Sequence, residues 1–204
     1  MKLAAALLAL AVVFVVFIQQ TPPGAPPSSA APPQGRGRGP IVLMTLTTLA
    51  WPDGGLIPEK HAQPGHDVSP PFTWSNAPDT AASFVLMAHD LDVATGNGTD
   101  DLLQWLVWNI PGADRALPEG MPQGATLPNG ARQISATGPN YRGPAAPASG
   151  APHHYVFEIF ALDTMLDVPA VGATPAQTRA AVIAALAGHV RGKGVYTGTY
   201  RRQD

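Results

Sequence analysis

The 204-residue chain contains no cysteine. That absence excludes disulfide staples, thiolate catalysis and cysteine-ligated zinc. It also removes the lipid-modified residue on which a bacterial-type lipoprotein anchor depends. Charge is scarce as well: Lys, Arg, Asp and Glu make up 13% of the chain, against about a quarter in ordinary soluble domains. The formal net charge is −2, so no basic surplus exists to neutralise phosphates, and general nucleic-acid binding is not expected. No Gly-x-Ser-x-Gly elbow occurs, which argues against a serine hydrolase. No internal repeat is present, and only one long apolar run, Leu3 to Ile18, stands out.

That run follows Met1-Lys2, a short basic start before a hydrophobic stretch, which is the order of a secretory signal. It falls short of the roughly 20 apolar residues a membrane-spanning helix requires. Residues 1–20 therefore read as a signal peptide or an N-terminal anchor, and the protein as exported, periplasmic or secreted. From residue 21 to 40 the composition shifts to Pro, Gly, Ala, Ser and Gln, with Arg36 and Arg38 as its charges; such a segment buries too little apolar area to offset its ordering entropy and reads as a linker. Residues 41–204 remain for one domain. Membrane contact is expected only through the N-terminal segment.

The remaining chain reads as short strands divided by turns, then one helix. Ile41 to Trp51 is rich in β-branched residues and stops at Pro52-Asp53-Gly54-Gly55. Prolines force Ser69 to Trp74 to be extended. Ser83–Ala88, Leu102–Ile110 and Tyr155–Leu162 are nearly continuous apolar runs, which suits strands buried on both faces. Val195–Tyr200 supplies a closing strand. Thr174-Pro175-Ala176-Gln177 carries the signals of a helix start, a capping threonine, a proline at the first position and a capping-box glutamine; the helix is expected to end near His189. Strands first and a helix late predict a mainly β fold, an antiparallel β-sandwich with one or two peripheral helices.

The polar residues beside the apolar runs are the chemically informative ones. Asp90 and Asp92 follow Ser83–Ala88 on the parity of Phe84, Leu86 and Ala88. Gln104 interrupts Leu102–Ile110 on the parity of Leu106 and Trp108, and alternation predicts that Trp105 faces the other way. His153 and His154 precede Tyr155–Leu162. A carboxylate at the mouth of a core requires a partner, and a histidine supplies one. The pair can wall a site for a small polar headgroup; equally, Asp90 and Asp92 can simply cap turns. Trp51, Trp74, Trp105 and Trp108 read as core residues.

Several of these segments resemble motifs of one family. Ser69-Pro70-Pro71-Phe72-Thr73-Trp74 with Asn76-Ala77-Pro78 resembles a hallmark of the bacterial phosphatidylethanolamine-binding proteins, the Raf-kinase-inhibitor-like branch. His89-Asp90-Leu91-Asp92 is similar to the family's Asp-Pro-Asp motif, and Gln104-Trp105-Leu106-Val107-Trp108-Asn109-Ile110-Pro111 to its His-Trp-x-Val-x-Asn-Ile-Pro strand. Leu117-Pro118-Glu119-Gly120, the Gly138–Phe157 segment, Gly188-His189-Val190 and Gly198-Thr199-Tyr200-Arg201 resemble later motifs in the same order. The resemblance implies a sandwich of two antiparallel sheets with a small site for an anionic headgroup, such as phosphate or phosphoethanolamine. It implies Asp90, Gln104, Tyr141, Pro147, His153 and Tyr155 as ligand-binding residues, with Asp92 and Trp105 in support. It implies a non-catalytic binding protein with no cofactor and no metal, whose partners are a small anionic ligand or phospholipid headgroup and, in some relatives, a protein under regulation or inhibition; it admits a homodimer. Three departures stand out. Gln104 replaces the family histidine, Leu91 and Ala94 replace prolines, and His154 replaces an arginine. Glutamine cannot become cationic, so anion binding is expected to be weaker and to follow the protonation of His153 alone.

The enzyme alternative is a metal-dependent hydrolase of the cell envelope, with His61, His66, Asp67, His89, Asp90, His153 and His154 as candidate ligands. None of these has the His-x-x-x-His spacing of a helical zinc site.

Overall fold

Successive side chains of Ser83–Ala88 alternate between two apolar clusters, Phe84, Leu86 and Ala88 in one and Val85 and Met87 in the other. A strand buried on both faces needs an unbroken apolar run, which is what this segment offers. The computed structural model describes residues 40–203. The signal reading of residues 1–20, and all of the linker but Pro40, lie outside the described residues.

The strand built on that run, β4 (Ser83–Thr95), pairs antiparallel with β5 (Asp100–Pro111) on one side and β8 (His153–Leu162) on the other. β8 pairs with β9 (Val190–Tyr200), β9 runs parallel to β1 (Val42–Leu43), and β7 (Arg132–Ile134) closes the far edge, giving the order β1-β9-β8-β4-β5-β7. At Met44 the chain crosses to a second sheet, β2 (Thr45–Thr47), β3 (Phe72–Ser75) and β6 (Ala116–Leu117), paired antiparallel. Leu46, Phe72, Trp74 and Leu117 of the small sheet meet Phe84, Leu86, Phe157 and Ile159 of the large one in the inner cluster. The outer face of the large sheet is covered by α1 (Pro175–Leu186), whose Val182 and Leu186 pack with Val85, Met87, Leu106 and Trp108. The result is an antiparallel β-sandwich with a single parallel strand pair and one α-helix among the described residues, none of whose helices is long and apolar enough to cross a membrane.

The capping box at Thr174 and Gln177 is formed reciprocally. The helix ends at Leu186, earlier than the sequence suggests, and His189 lies beyond it with Nδ1 2.8 Å from Asp163 Oδ1. A larger departure concerns β5. Register moves from Ala88↔Trp105 to His89↔Leu103, so Gln104 and Trp105 together oppose one residue of β4. This β-bulge places Trp105 in the inner cluster while Leu103 stays with Leu106 in the outer one. The expected alternation, with Gln104 opposite to Trp105, is therefore broken. A second irregularity nearby holds Asn109 at φ +58°, its amide bridging the backbone of Leu166 in both directions at 2.9 and 2.7 Å.

Candidate functional site

The inner face of β4 ends at Asp90, a carboxylate only 2% exposed and in register with Tyr155 of β8. Its Oδ2 lies 3.0 Å from Nδ1 of His153, the first residue of β8, and its Oδ1 accepts the Asp92 N–H at 3.0 Å. The buried charge thus has both an imidazole and a backbone donor, as burial demands. Tyr155 is buried beside it, and its hydroxyl has no partner in hydrogen-bond geometry. Burial, followed by the charge and the close approach of the Asp90 carboxylate, pushes the Tyr155 phenol above its ordinary pKa, and the nearby backbone of Ala145 and Ala146 pulls the other way. Acid, imidazole, phenol and two backbone amides therefore converge where β4 and β8 meet the loop before β8.

That loop is held from two sides. The Tyr141 hydroxyl donates to His61 O at 2.9 Å, and its ring stands edge-on to Trp105 at 5.4 Å. The Gln104 amide, oriented as its neighbours require, donates to Arg142 O at 2.7 Å and Gly143 O at 3.3 Å. Both N–H bonds of Gln104 are directed at loop carbonyls, where they fasten the loop. Tyr141 is likewise an anchor, its hydroxyl occupied and its phenol pushed up by burial and by Asp67. Pro147 is exposed. Trp105 donates to Oε1 of the fully buried Gln133 at 2.8 Å, whose own amide binds Pro122 O and Gly124 O.

Asp92 sits at the surface, with Oδ2 2.5 Å from the His154 N–H and 3.0 Å from its ring, so it ties the start of β8 to β4. The His154 backbone donor holds this carboxyl below its usual range. His89 leaves β4 on the opposite face, where Nδ1 meets Asp101 at 2.5 Å and Nε2 lies 3.3 Å from Glu158, off the line of a hydrogen bond. Arg179 of α1 completes Asp101, and Lys193 reaches Glu158 at 2.6 Å. His89 and Asp90 therefore serve different faces of the sheet. Among the described residues, no group of three His, Asp or Glu side chains is arranged to hold a metal ion.

With this geometry in place, the family profile described as phosphatidylethanolamine-binding protein matches residues 47–201. The chain belongs to the phosphatidylethanolamine-binding protein family. It is 37% identical over 161 residues to a UPF0098 protein of Methanothermobacter thermautotrophicus, covering 78% of this chain and 99% of the relative. It is 35% identical over 161 residues to LppC of Mycobacterium tuberculosis, a relative named as a lipoprotein, covering 76% of this chain and 73% of that one. Among solved structures it is similar to the phosphatidylethanolamine-binding protein homologue CT736 of Chlamydia trachomatis, with a TM-score of 0.65 and 31% identity over 79% of this chain and 99% of that one.

Within this member of the family, sequence reasoning named the side chains of Asp90, His153 and Tyr155 but not the backbone that meets them. Ala145 and Ala146 carry no chemical signature, and only the Gly-Pro-rich character of their loop marks the segment. Nor did it single out Gln63, whose N–H donates to Pro144 O and whose amide donates to Gly143 O, each at 3.0 Å. The salt-bridge network around His89 was equally hidden, because its partners come from β5, β8, β9 and α1.

Proposed function

We propose that the protein is a non-catalytic binding protein that takes a small ligand with an anionic headgroup, of the phosphate or phosphoethanolamine kind, where Asp90, His153 and Tyr155 meet. The observation that carries this reading is the Asp90–His153 pair, Oδ2 to Nδ1 at 3.0 Å, with the buried Tyr155 hydroxyl beside it. A bound oxyanion would accept from the phenol and from the imidazole. His153, held by Asp90, would donate to the ligand from its other ring nitrogen, since Gln104 is turned to the loop. Membership of a family of small-ligand binding proteins supports the reading. The basic start and apolar run of residues 1–18, with a relative named as a lipoprotein, support action outside the cytoplasm.

Calorimetric titration with inorganic phosphate and with phosphoethanolamine, from about pH 5 to about pH 8, tests the proposal. Both compounds are expected to bind, and His153→Ala is expected to remove the binding. No binding of either compound across the range overturns the reading, as does affinity unchanged by His153→Ala.

A further inference from the structure

The loop that carries Ala145 and Ala146 is fastened to the turn at residues 61–67, and that turn is strained. Two successive residues with side chains, His66 and Asp67, occupy the left-handed region at φ +77° and +55°. Gly65 before them is pressed so closely on Glu59 that a Cβ there would lie 1.9 Å from its carbonyl oxygen. Strain of this kind persists only where the surroundings enforce it, and it gathers where function needs a group aimed. Here the group is the Asp67 carboxylate, whose Oδ1 accepts the Gly143 N–H at 2.8 Å. Gly143 is itself pinned: a Cβ there would stand 2.4 Å from His61 O and 2.8 Å from both Ala62 Cα and Asp67 Oδ1. Two and three residues further along come Ala145 and Ala146, the second packed in the inner cluster with Tyr155.

We propose that Asp67 is a positioning residue of the binding site: through the Gly143 N–H it fixes the Ala145 and Ala146 amides beside Tyr155. Asp67 acts through the loop, by way of the Gly143 N–H. Gln63 and Gln104 grip the carbonyls of the same stretch, whereas Asp67 holds its N–H. The turn tolerates its left-handed backbone because Asp, like Asn, adopts that region more readily than most residues do. The inference rests on the headgroup-binding reading, and its test separates the two.

Two substitutions divide the carboxylate from the backbone. Asp67→Asn keeps both an acceptor oxygen and tolerance of positive φ; Asp67→Gly keeps the tolerance and loses the acceptor. Amide hydrogen exchange at Ala145 and Ala146 is followed in the ligand-free full chain, and inorganic phosphate affinity is measured in parallel. Asp67→Asn is expected to match the unsubstituted protein in both. Asp67→Gly is expected to speed exchange at both alanines and to weaken phosphate binding by about tenfold, the scale of one hydrogen bond. A lowered Tm with unchanged phosphate affinity would mark Asp67 as merely structural and overturn the proposal. Unmoved Ala145 and Ala146 amides overturn it whatever the ligand does. If the unsubstituted protein fails to bind phosphate while the Asp67→Gly amides do move, the headgroup reading falls and the loop clamp stands.

Discussion

A hydroxyl sealed from water with nothing to bond lowers stability, and Tyr155 carries one at 1% exposure. Replacing it with phenylalanine removes a polar atom that the folded protein leaves unsatisfied while keeping the ring that packs in the inner cluster. Tyr155→Phe is therefore expected to leave unfolding free energy unchanged or raise it by up to about 1 kcal/mol, while phosphate binding is lost. Urea denaturation with parallel calorimetry checks this; a clear loss of stability would mean that the hydroxyl has a partner in the free protein. Gln104 shows the limit of residue identity as a guide. Its amide could donate to a ligand or to the chain, and two loop carbonyls, those of Arg142 and Gly143, take both N–H bonds. Asp90 and His153 were legible because a charge beside an apolar run must find a partner. The fate of a neutral amide is not fixed by any such demand.

At the scale of elements, local rules succeeded where the backbone is regular. The helix start is an example: the Thr174 side chain accepts the Gln177 N–H, and the Gln177 side chain reaches back to the Thr174 N–H. Thr174→Ala is expected to lower stability by about 1 kcal/mol, read from the urea midpoint, with phosphate affinity unchanged because α1 lies on the outer face. Strand alternation failed at β5 because a bulge sets Gln104 and Trp105 against one residue of β4. A bulge is decided by the partner strand and by what packs on each side, here Tyr141 and Gln133 on Trp105. Without the bulge, the Trp105 ring could not support the loop that Gln104 fastens. The apolar run of β4 likewise ended at Ala88, but the strand continues to Thr95 because pairing with β5 and β8 supports polar residues that propensity alone would assign to a turn.

Across the whole molecule, the alternating charges Arg179, Asp101, His89, Glu158 and Lys193 tie α1 to the outer face of the sheet. Burial opposes protonation of His89, but its contacts with Glu158 and Asp101 outweigh burial and raise its pKa above 6.5. His89 itself, then Lys193, holds the Glu158 carboxyl down at about 2. The raised histidine contributes stability that is complete below the unfolded value near 6.5 and is lost as pH climbs through the folded one. The depressed carboxylate contributes above its ordinary 4.5 and fades as pH falls towards about 2. Their sum favours the mildly acidic range between those limits. In thermal melts from about pH 5 to about pH 9, the Tm gap between the unsubstituted protein and His89→Gln is expected to be widest at the acid end and to narrow as His89 loses its proton. A gap independent of pH would refute this linkage.

The apolar runs, the turn residues and the capping box determined that this chain forms a β-sandwich with a late helix, because those signals are local and each is satisfied by its own neighbours in sequence. Collinear motifs also determined the family. Tertiary structure alone decided which groups face one another: that His89 and Asp90, adjacent in sequence, serve opposite faces of one sheet, that Gln104 fastens a loop, and that Ala145, Ala146 and Asp67 bear on the site. Pairing register, bulges and the path of a loop depend on contacts between residues far apart in the chain, and no pattern within one segment encodes them.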